Sequence, residues 1–460
     1  MAPGSVPSCA DGVAGHIRFR STTSRRLRRP TPVHPPAQTQ SRPHSTPPVP
    51  IEAVGPRIPI YTQEFAADPH RFYRAMREGY RSLVPVEIWA GVPATLVIGY
   101  HTAVRILGDT HRFSADPRRW QATVPADLPI MPMIEWRPNA LRSNGAEHTR
   151  YRTATNDALA GVNLYTLRST VERAALPLVN SFCETGSADL IGQYILPLVF
   201  VVLNELIGCP PHIGQQVAQA SAALFEGVDT DTVNMMLDKA LRELTVLKRS
   251  QPADDIATRL VQHPVGLTDT EMVHQLVTCY SAGIEIPQNL IAGTLLLMLT
   301  DARWNGENLG FAPPTGSALD EILATDPPLA NYCIVYPRQP IVVDNVWLPA
   351  DQPVITSTAA CNTGPEINTG HFAGNGWNLA WGAGPHACPM QARTASQLIA
   401  QEAIDQLLDI LPELRLAVPA EQLQWRPGPF HRALTALPVT FPPSNPLRIT
   451  PPPPFSPNHG

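Results

Sequence analysis

The chain has 460 residues, of which 43% are hydrophobic and 16% are charged, and its formal net charge is −5. This apolar content excludes wholesale disorder, and the negative balance excludes a nucleic-acid protein that works through bulk positive charge. The seven cysteines, an odd number scattered along a long chain, do not read as a disulfide framework and favour a reducing, cytoplasmic compartment. No run of about 18 apolar residues predicts a membrane-spanning helix, and the N-terminus lacks the apolar region of a secretory signal.

The two ends of the chain differ in composition from its middle. Residues 1–50 contain ten prolines, seven arginines and a single acid, Asp11. Such a segment cannot bury enough surface to fold, so residues 1–55 are predicted to be a disordered arm, either a solvated tail or a mis-assigned start. Its arginines would alternatively contact an acidic partner. Residues 442–460 predict a second, proline-rich tail, and residues 56–441 are predicted to be one domain because no long linker or repeat interrupts them.

Helical periodicity dominates the middle of the chain. The predicted helices are 68–78, 101–107, 147–160, 164–184, 191–207, 213–225 and 232–247, with a strand at 95–98. Thr268 and Glu271 form a capping box that predicts a long helix, whose apolar stretch 290–299 belongs in a large core. Strands at 341–343 and 354–357 precede a glycine-rich loop, 370–384, and a last helix over 389–411 with Pro389 at its first position. The sequence predicts a mainly α, multihelical fold with small β-sheets.

The glycine-rich loop runs into the string WGAGPHAC, which ends at Cys388. This cysteine precedes a predicted helix, whose N-terminal dipole lowers a thiol pKa and favours the thiolate, the form that attacks carbon and binds metals. Gly382 and Gly384 allow the backbone to pass close to a flat or bulky group, and Trp381 supplies an apolar face. His386 is able to donate a hydrogen bond to an anion.

From the residues alone, several roles for Cys388 stay open. It fits a buried structural cysteine, a catalytic nucleophile or a metal ligand. A zinc site has the least support because zinc prefers four ligands at paired spacings, and only Cys361 and His371 lie loosely near His386 and Cys388.

The loop resembles the haem-binding loop of bacterial cytochrome P450 enzymes, whose pattern is aromatic-Gly-x-Gly-x-His-x-Cys-x-Gly. It departs from that pattern at the final glycine, which is Met390 here. Further resemblances follow one another in the family's order: a C-helix pattern at 147–152, the start of the oxygen groove at 282–285, Asp-Pro-Pro at 326–328 after the K helix, and a terminal β segment at 425–439. The resemblance covers most of the chain and implies the multihelical cytochrome P450 fold.

The resemblance also implies a cofactor and its ligands. The cofactor is haem b, with Cys388 as the axial thiolate that bonds to iron and favours O–O cleavage. His148, Arg152 and His386 are implied to hold the haem propionates through charge-assisted hydrogen bonds, and Trp381 and Gly382 belong to the same cofactor loop. The i, i+4 spacing places His148 and Arg152 on one helix face. Alternatively, Arg152 lies on a solvated face and His148 is an ordinary partly buried histidine.

The central helix departs from the family pattern. Gly283 and Glu285 keep the glycine and the acid of the oxygen groove and are the implied catalytic residues. The alcohol that usually follows the acid and relays protons is replaced by Ile286, and Pro287 comes next. Because proline has no N–H, the hydrogen bond to the Gly283 carbonyl cannot form, and a kink is expected there.

The K helix and the strand after it also depart from the pattern. Glu321 keeps the acid of the Glu-x-x-Arg motif, but Ala324 stands at the arginine position, so a buried Glu321 is expected to lack its partner. Val335 stands where the resemblance implies a propionate-binding arginine. Arg338 is the nearest candidate to replace it.

The implied function is a haem-thiolate oxidoreductase, a monooxygenase or a related oxidase, acting on a small hydrophobic secondary-metabolite-type substrate with atypical proton delivery. One alternative is a haem-binding regulatory or redox-sensing protein without turnover, and another is an apo scaffold. Met131, Met133, Ile134 and Trp136 either line the substrate pocket or belong to the core.

The resemblance implies electron transfer from a separate ferredoxin and ferredoxin reductase, docked on the cysteine side near Arg393. This arginine is equally well explained as a solvated side chain. The altered K helix and the Trp381 loop also resemble actinomycete members encoded beside small GTPase-like signalling proteins, a further possible partner. Neither nucleic acid nor a membrane is expected as a partner.

Overall fold

Helices make up most of the described chain. The computed structural model describes residues 47–225, 230–304, 313–367 and 377–447, with only the backbone of 221–225 and 230. The helices are α1 (Gln63–Ala67), α2 (Pro69–Gly79), α3 (Tyr100–Gly108), α4 (Arg118–Gln121), α5 (Met131–Ile134), α6 (Gly145–Ala160), α7 (Leu164–Asn180), α8 (Leu196–Ile207), α9 (Pro211–Phe225), α10 (Thr230–Ser250), α11 (Ile256–Gln262), α12 (Asp269–Thr300), α13 (Thr315–Thr325), α14 (Thr358–Asn362) and α15 (Met390–Ile410). A π-helical turn, Ile191–Ile195, leads into α8.

The strands are short and form three small sheets in the described chain. They are β1 (Val49–Pro50), β2 (Ile58–Pro59), β3 (Leu83–Trp89), β4 (Val92–Val97), β5 (Phe113–Ser114), β6 (Ser187–Asp189), β7 (Asn331–Pro337), β8 (Ile341–Val343), β9 (Val346–Leu348), β10 (Val354–Ser357), β11 (Arg415–Leu416) and β12 (Pro438–Thr440). The largest sheet has the order β2-β3-β4-β10-β7-β5, and the others are β1-β9-β8 and β11-β12-β6. The predicted mainly α fold with small sheets is confirmed.

Helix α12 lies in the centre of the core. The Thr268 side chain accepts a hydrogen bond from the Glu271 amide, and the Glu271 carboxylate accepts one from the Thr268 amide, so the predicted capping box is present. Leu290, Ile291 and Leu295 pack with α7, α8, α13 and α15 in one apolar cluster. In the described part of the chain, α12 is the one helix long and apolar enough to cross a membrane by length and composition. A core helix passes the same test, and the cytoplasmic location remains a prediction.

The start of the last helix differs by one residue from the sequence prediction. The last helix begins at Met390, and Pro389 is its N-cap in an extended conformation. Proline fits this position because its ring fixes φ and the first backbone donors of a helix have no partner in any case. Residues 370–376 of the predicted glycine-rich loop, including His371, lie outside the described residues.

The folded region extends beyond the predicted domain at both ends. β1 pairs with β9, and Ile51 is fully buried, so residues 49–54 belong to the fold and not to a disordered arm. At the other end, the Ser444 amide donates to the Cys183 carbonyl, and Leu447 exchanges two hydrogen bonds with the Asn180 side chain. The predicted boundaries at 55 and 442 are therefore several residues too far inward. The described cysteines are all free.

Candidate functional site

The loop before Cys388 is shaped by two glycines in the left-handed region. Gly382 has a φ of 70° and Gly384 a φ of 69°. A Cβ on Gly384 would lie 2.2 Å from the Leu107 carbonyl oxygen, so no larger residue fits against α3. The Cys388 amide donates to the Trp381 carbonyl at 2.8 Å and closes the loop. Cys388 is thus fixed immediately before α15.

Burial and local charge act in opposite directions on the Cys388 thiol. Burial raises its pKa to about 11, while Arg393 and Arg152 lower it. Arg393 also donates from Nε to the Cys388 carbonyl at 2.8 Å, which ties it to the loop. The sequence predicted a lowered pKa from the helix dipole. That prediction is wrong for this environment because desolvation of the thiolate outweighs the helix end and both arginines.

Three of the implied cofactor ligands meet on the α6 side of this loop. The rings of His148 and His386 stack with their centroids 4.0 Å apart. His386 donates from Nε2 to the Ser143 carbonyl at 2.9 Å. Burial and then the charges of Arg152 and Arg142 lower the pKa of His386, whereas its hydrogen bond to Ser143 raises it. Burial, His386 and Arg152 lower the pKa of His148 to about 4.

Arg142 belongs to the same cluster, although the sequence analysis did not select it. Its side chain is 3% exposed and lies in the loop before α6. It donates from Nη2 to the Tyr332 hydroxyl at 2.7 Å and to the Met133 carbonyl. No motif marks an arginine in this loop. The only signal in the sequence is its position just ahead of the helix that carries His148 and Arg152.

The four side chains form a cluster without an acidic partner, called the cationic cluster here because of the charges of Arg142 and Arg152. Among the described residues, no carboxylate makes an ion pair with Arg142 or Arg152, and the buried His148 Nε2 and Arg152 Nε atoms have no hydrogen-bond partner. Buried cations and donors are costly unless they are paired. The cluster therefore fits a ligand that carries carboxylates, placed beside Cys388.

The other implied ligand, Arg338, lies in a different environment. Its side chain is exposed, its amide donates to the Arg112 carbonyl, and its carbonyl accepts a hydrogen bond from Arg119. No contact joins it to the cationic cluster in the described chain. Its role in haem binding remains a prediction that this placement does not favour.

The central helix passes Pro287 without a break. Glu285 forms an ion pair with Arg426, and its Oε1 accepts a hydrogen bond from Asn289 Nδ2 at 2.9 Å. Gly283 packs against α8, where an added Cβ would lie 2.9 Å from Leu203 Cδ1. The glycine therefore serves close packing of two helices, and the acid is joined to the C-terminal segment.

The K-helix acid has a partner that the sequence analysis missed. Glu321 Oε1 accepts a hydrogen bond from Arg303 Nη2 at 2.7 Å, and Arg303 also pairs with Asp301. The expectation of an unpaired Glu321 is wrong because an arginine that follows α12 reaches across to α13.

A cavity of about 510 Å³ lies beside α10 and α12. Its walls come from the loop before α6, from α10 and from α12, with Trp136, Met235, Val273, His274 and Val277 among its lining residues. Of the four predicted pocket residues, only Trp136 lines this cavity. Met131 and Ile134 are buried in the core beside the main sheet.

Comparisons with known proteins identify similar chains. No protein-family profile matches. Cytochrome P450 107B1 of Saccharopolyspora erythraea is 26% identical over 407 residues, which cover 84% of this chain and 98% of that protein. The monooxygenase PikC of Streptomyces venezuelae is 28% identical over 405 residues, which cover 82% of this chain and 92% of that protein. The structure of CYP154C4 from Streptomyces sp. W2061 superposes with a TM-score of 0.74 at 26% identity, covering 84% and 98%.

Proposed function

We propose that this chain is a monooxygenase like the bacterial cytochrome P450 enzymes to which it is similar, acting on a small secondary-metabolite-type compound and delivering protons without the usual alcohol. The cofactor of this family is haem b with an axial cysteine thiolate, which activates dioxygen and transfers one oxygen atom to an organic substrate. The observation that carries the proposal is the cationic cluster beside Cys388, whose unpaired donors fit the two haem propionates.

Each part of the site has an assigned task in this proposal. Cys388 binds iron, and its thiol gives up its proton on ligation. His148, Arg152 and His386 hold the propionates through charge-assisted hydrogen bonds, and Trp381 and Gly382 form the surface against the cofactor. The left-handed glycines keep the loop close to the plane that the cofactor occupies.

Proton delivery falls to Glu285 because Ile286 cannot donate a proton. Its carboxylate is held by Arg426 and Asn289, so it must exchange these contacts for water in order to relay protons. His431 lies beside this pair, and burial and then Arg426 lower its pKa to about 4, whereas Glu285 raises it. The imidazole is therefore neutral at pH 7.

The substrate and the partners follow from the cavity and the family. The cavity is large enough for a drug-sized molecule and combines apolar walls with a few polar groups, as ligand sites do. Bacterial relatives generally receive electrons from a ferredoxin and its reductase. We assign that surface to the Cys388 side of the fold, and we keep the GTPase-like signalling partner for the alternative of a haem-binding regulator.

Oxygen uptake and product formation with a surrogate ferredoxin pair test the proposal. The wild type should turn over, and Glu285→Ala should lower the rate at least about tenfold, the low end of general-acid effects. The double replacement Ile286→Thr with Pro287→Thr should raise the fraction of electrons that end in product. A haem-loaded protein with no turnover in any of the three forms would favour the regulatory alternative.

A further inference from the structure

The cationic cluster contains one arginine more than the family pattern accounts for. Arg152, His148 and His386 match motif positions, but Arg142 lies in a loop that the resemblance leaves without a role. It is buried and makes its hydrogen bonds to the neutral Tyr332 hydroxyl and Met133 carbonyl. A buried guanidinium with neutral acceptors only is poorly compensated, because a carboxylate would stabilise the charge far better.

The contacts of Arg142 place it at the edge of the Cys388 loop. Its neighbour Ser143 accepts the hydrogen bond from His386 Nε2 at 2.9 Å. Its partner Tyr332 precedes Cys333 on β7, and a Cβ on Gly382 would lie 3.1 Å from the Cys333 Sγ. Arg142 is therefore linked to the cofactor loop in two ways, through Ser143 and through Tyr332.

Arg142 is also anchored on the strand that has lost its arginine. The propionate arginine implied by the resemblance would stand at Val335 on β7, and Arg142 binds Tyr332 of the same strand. The exposed Arg338 at the end of this strand lacks such contacts. A cation supplied from the loop before α6 would restore the charge that β7 no longer provides.

We propose that Arg142 binds a haem propionate and replaces the arginine missing from β7. The inference rests on the proposed haem binding. With Arg152, it gives two arginines for two propionates, and the two histidines complete the hydrogen bonds. The contact is direct, between the Arg142 guanidinium and a cofactor carboxylate.

The rate of haem transfer from the holoprotein to apomyoglobin tests this role. Arg142→Gln should release haem about tenfold faster or more, as the loss of a charge-assisted hydrogen bond predicts. The haem release rate of Arg142→Lys should lie between those of wild type and Arg142→Gln, since lysine keeps the charge and loses the fork geometry. The matched control Arg338→Gln should release haem at the wild-type rate. An unchanged rate in Arg142→Gln, or a faster rate in Arg338→Gln alone, overturns the proposal.

A cofactor with esterified propionates separates direct binding from a structural effect. With iron protoporphyrin IX dimethyl ester, wild type and Arg142→Gln should release the cofactor at the same rate, because the carboxylates are gone. The thermal midpoint of the Arg142→Gln apoprotein should equal that of wild type or exceed it. A difference that persists with the ester, or an apoprotein that is destabilised as much as the holoprotein, shows that Arg142 supports the loop and contradicts the proposal.

A wild type that holds no haem contradicts the proposed function as well, whereas a wild type with haem and an unaffected variant contradicts this inference alone.

Discussion

At the scale of single residues, burial dominates the charge state of Cys388 and of the buried histidines. The Cys388 thiol has a raised pKa despite its helix end, and four of the described histidines have lowered pKa values mainly because they are desolvated. The thiolate at Cys388 therefore depends on the metal for its stability, since ligation replaces the proton. The cationic cluster follows the same rule. Its charges are costly to bury unless an anion pairs with them.

His274 in the cavity wall provides a pH-dependent test. Burial, Arg137 and Arg242 lower its pKa from 6.5 to about 4, and Asp238 opposes them. Between these two values the unfolded chain binds the proton that the folded chain rejects, so stability falls as the pH decreases from 6.5 towards 4. We expect His274→Leu to reduce this slope by about 1 kcal/mol per pH unit in urea titrations at pH 4.5 to 7.5. The same reduction in the exposed control His111→Leu would contradict the assignment.

At the scale of elements, ion pairs connect the C-terminal segment to helices that are distant in the chain. The Glu285–Arg426 pair joins α12 to the C-terminal segment, and the Arg426 amide donates to the Ala433 carbonyl within that segment. At the end of α13, Asp326 contacts Arg432 and His70. Burial raises the pKa of this carboxyl, but the charge of Arg432 and the hydrogen bond with His70 outweigh it and lower the pKa to about 2. The C-terminal segment is thus held to the helices by charge as well as by packing.

The pair between Glu285 and Arg426 should be measurable by a double-mutant cycle. Glu285→Gln, Arg426→Gln and the double variant should show a coupling free energy of about 1 kcal/mol, since both side chains are only partly buried. Chemical unfolding of the four proteins measures it. A coupling of zero would mean that the pair holds neither the acid nor the segment in place.

The altered K helix should reject the family's arginine. Ala324 is 6% exposed, and Glu321 already has Arg303 as its partner. Ala324→Arg should therefore lower the free energy of unfolding by about 1–3 kcal/mol, the cost of overpacking a filled site. Thermal unfolding measures the change.

A matched variant shows whether Arg303 is the reason. Arg303→Gln alone should cost about 0.5–1 kcal/mol, because this arginine is largely exposed. In that background, Ala324→Arg should lose less stability than it does in wild type. A stabilising Ala324→Arg in the wild-type background would show that the motif position is still open.

At the scale of the whole molecule, the sequence predicted the features that depend only on residues close together in the chain. The capping box at Thr268 marks the start of α12, and the glycines before Cys388 mark the loop, because both depend on neighbours in the chain. Arg303, Arg142 and Arg426 could not be predicted, since each contact depends on segments that only the fold brings together. The role of Gly283 could not be predicted either. This glycine matches the family pattern, but the fold places it in close contact with α8.

The capacity to bind haem through Cys388 is the central claim, and the ferrous–CO spectrum tests it most directly. Haem-replete wild type should show the Soret band of a thiolate-ligated haem, and Cys388→Ala should lose it. The control Cys333→Ala, which removes another partly buried cysteine of the region, should keep the wild-type band. A colourless wild type, or a Cys388→Ala protein with an unchanged spectrum, would contradict the account.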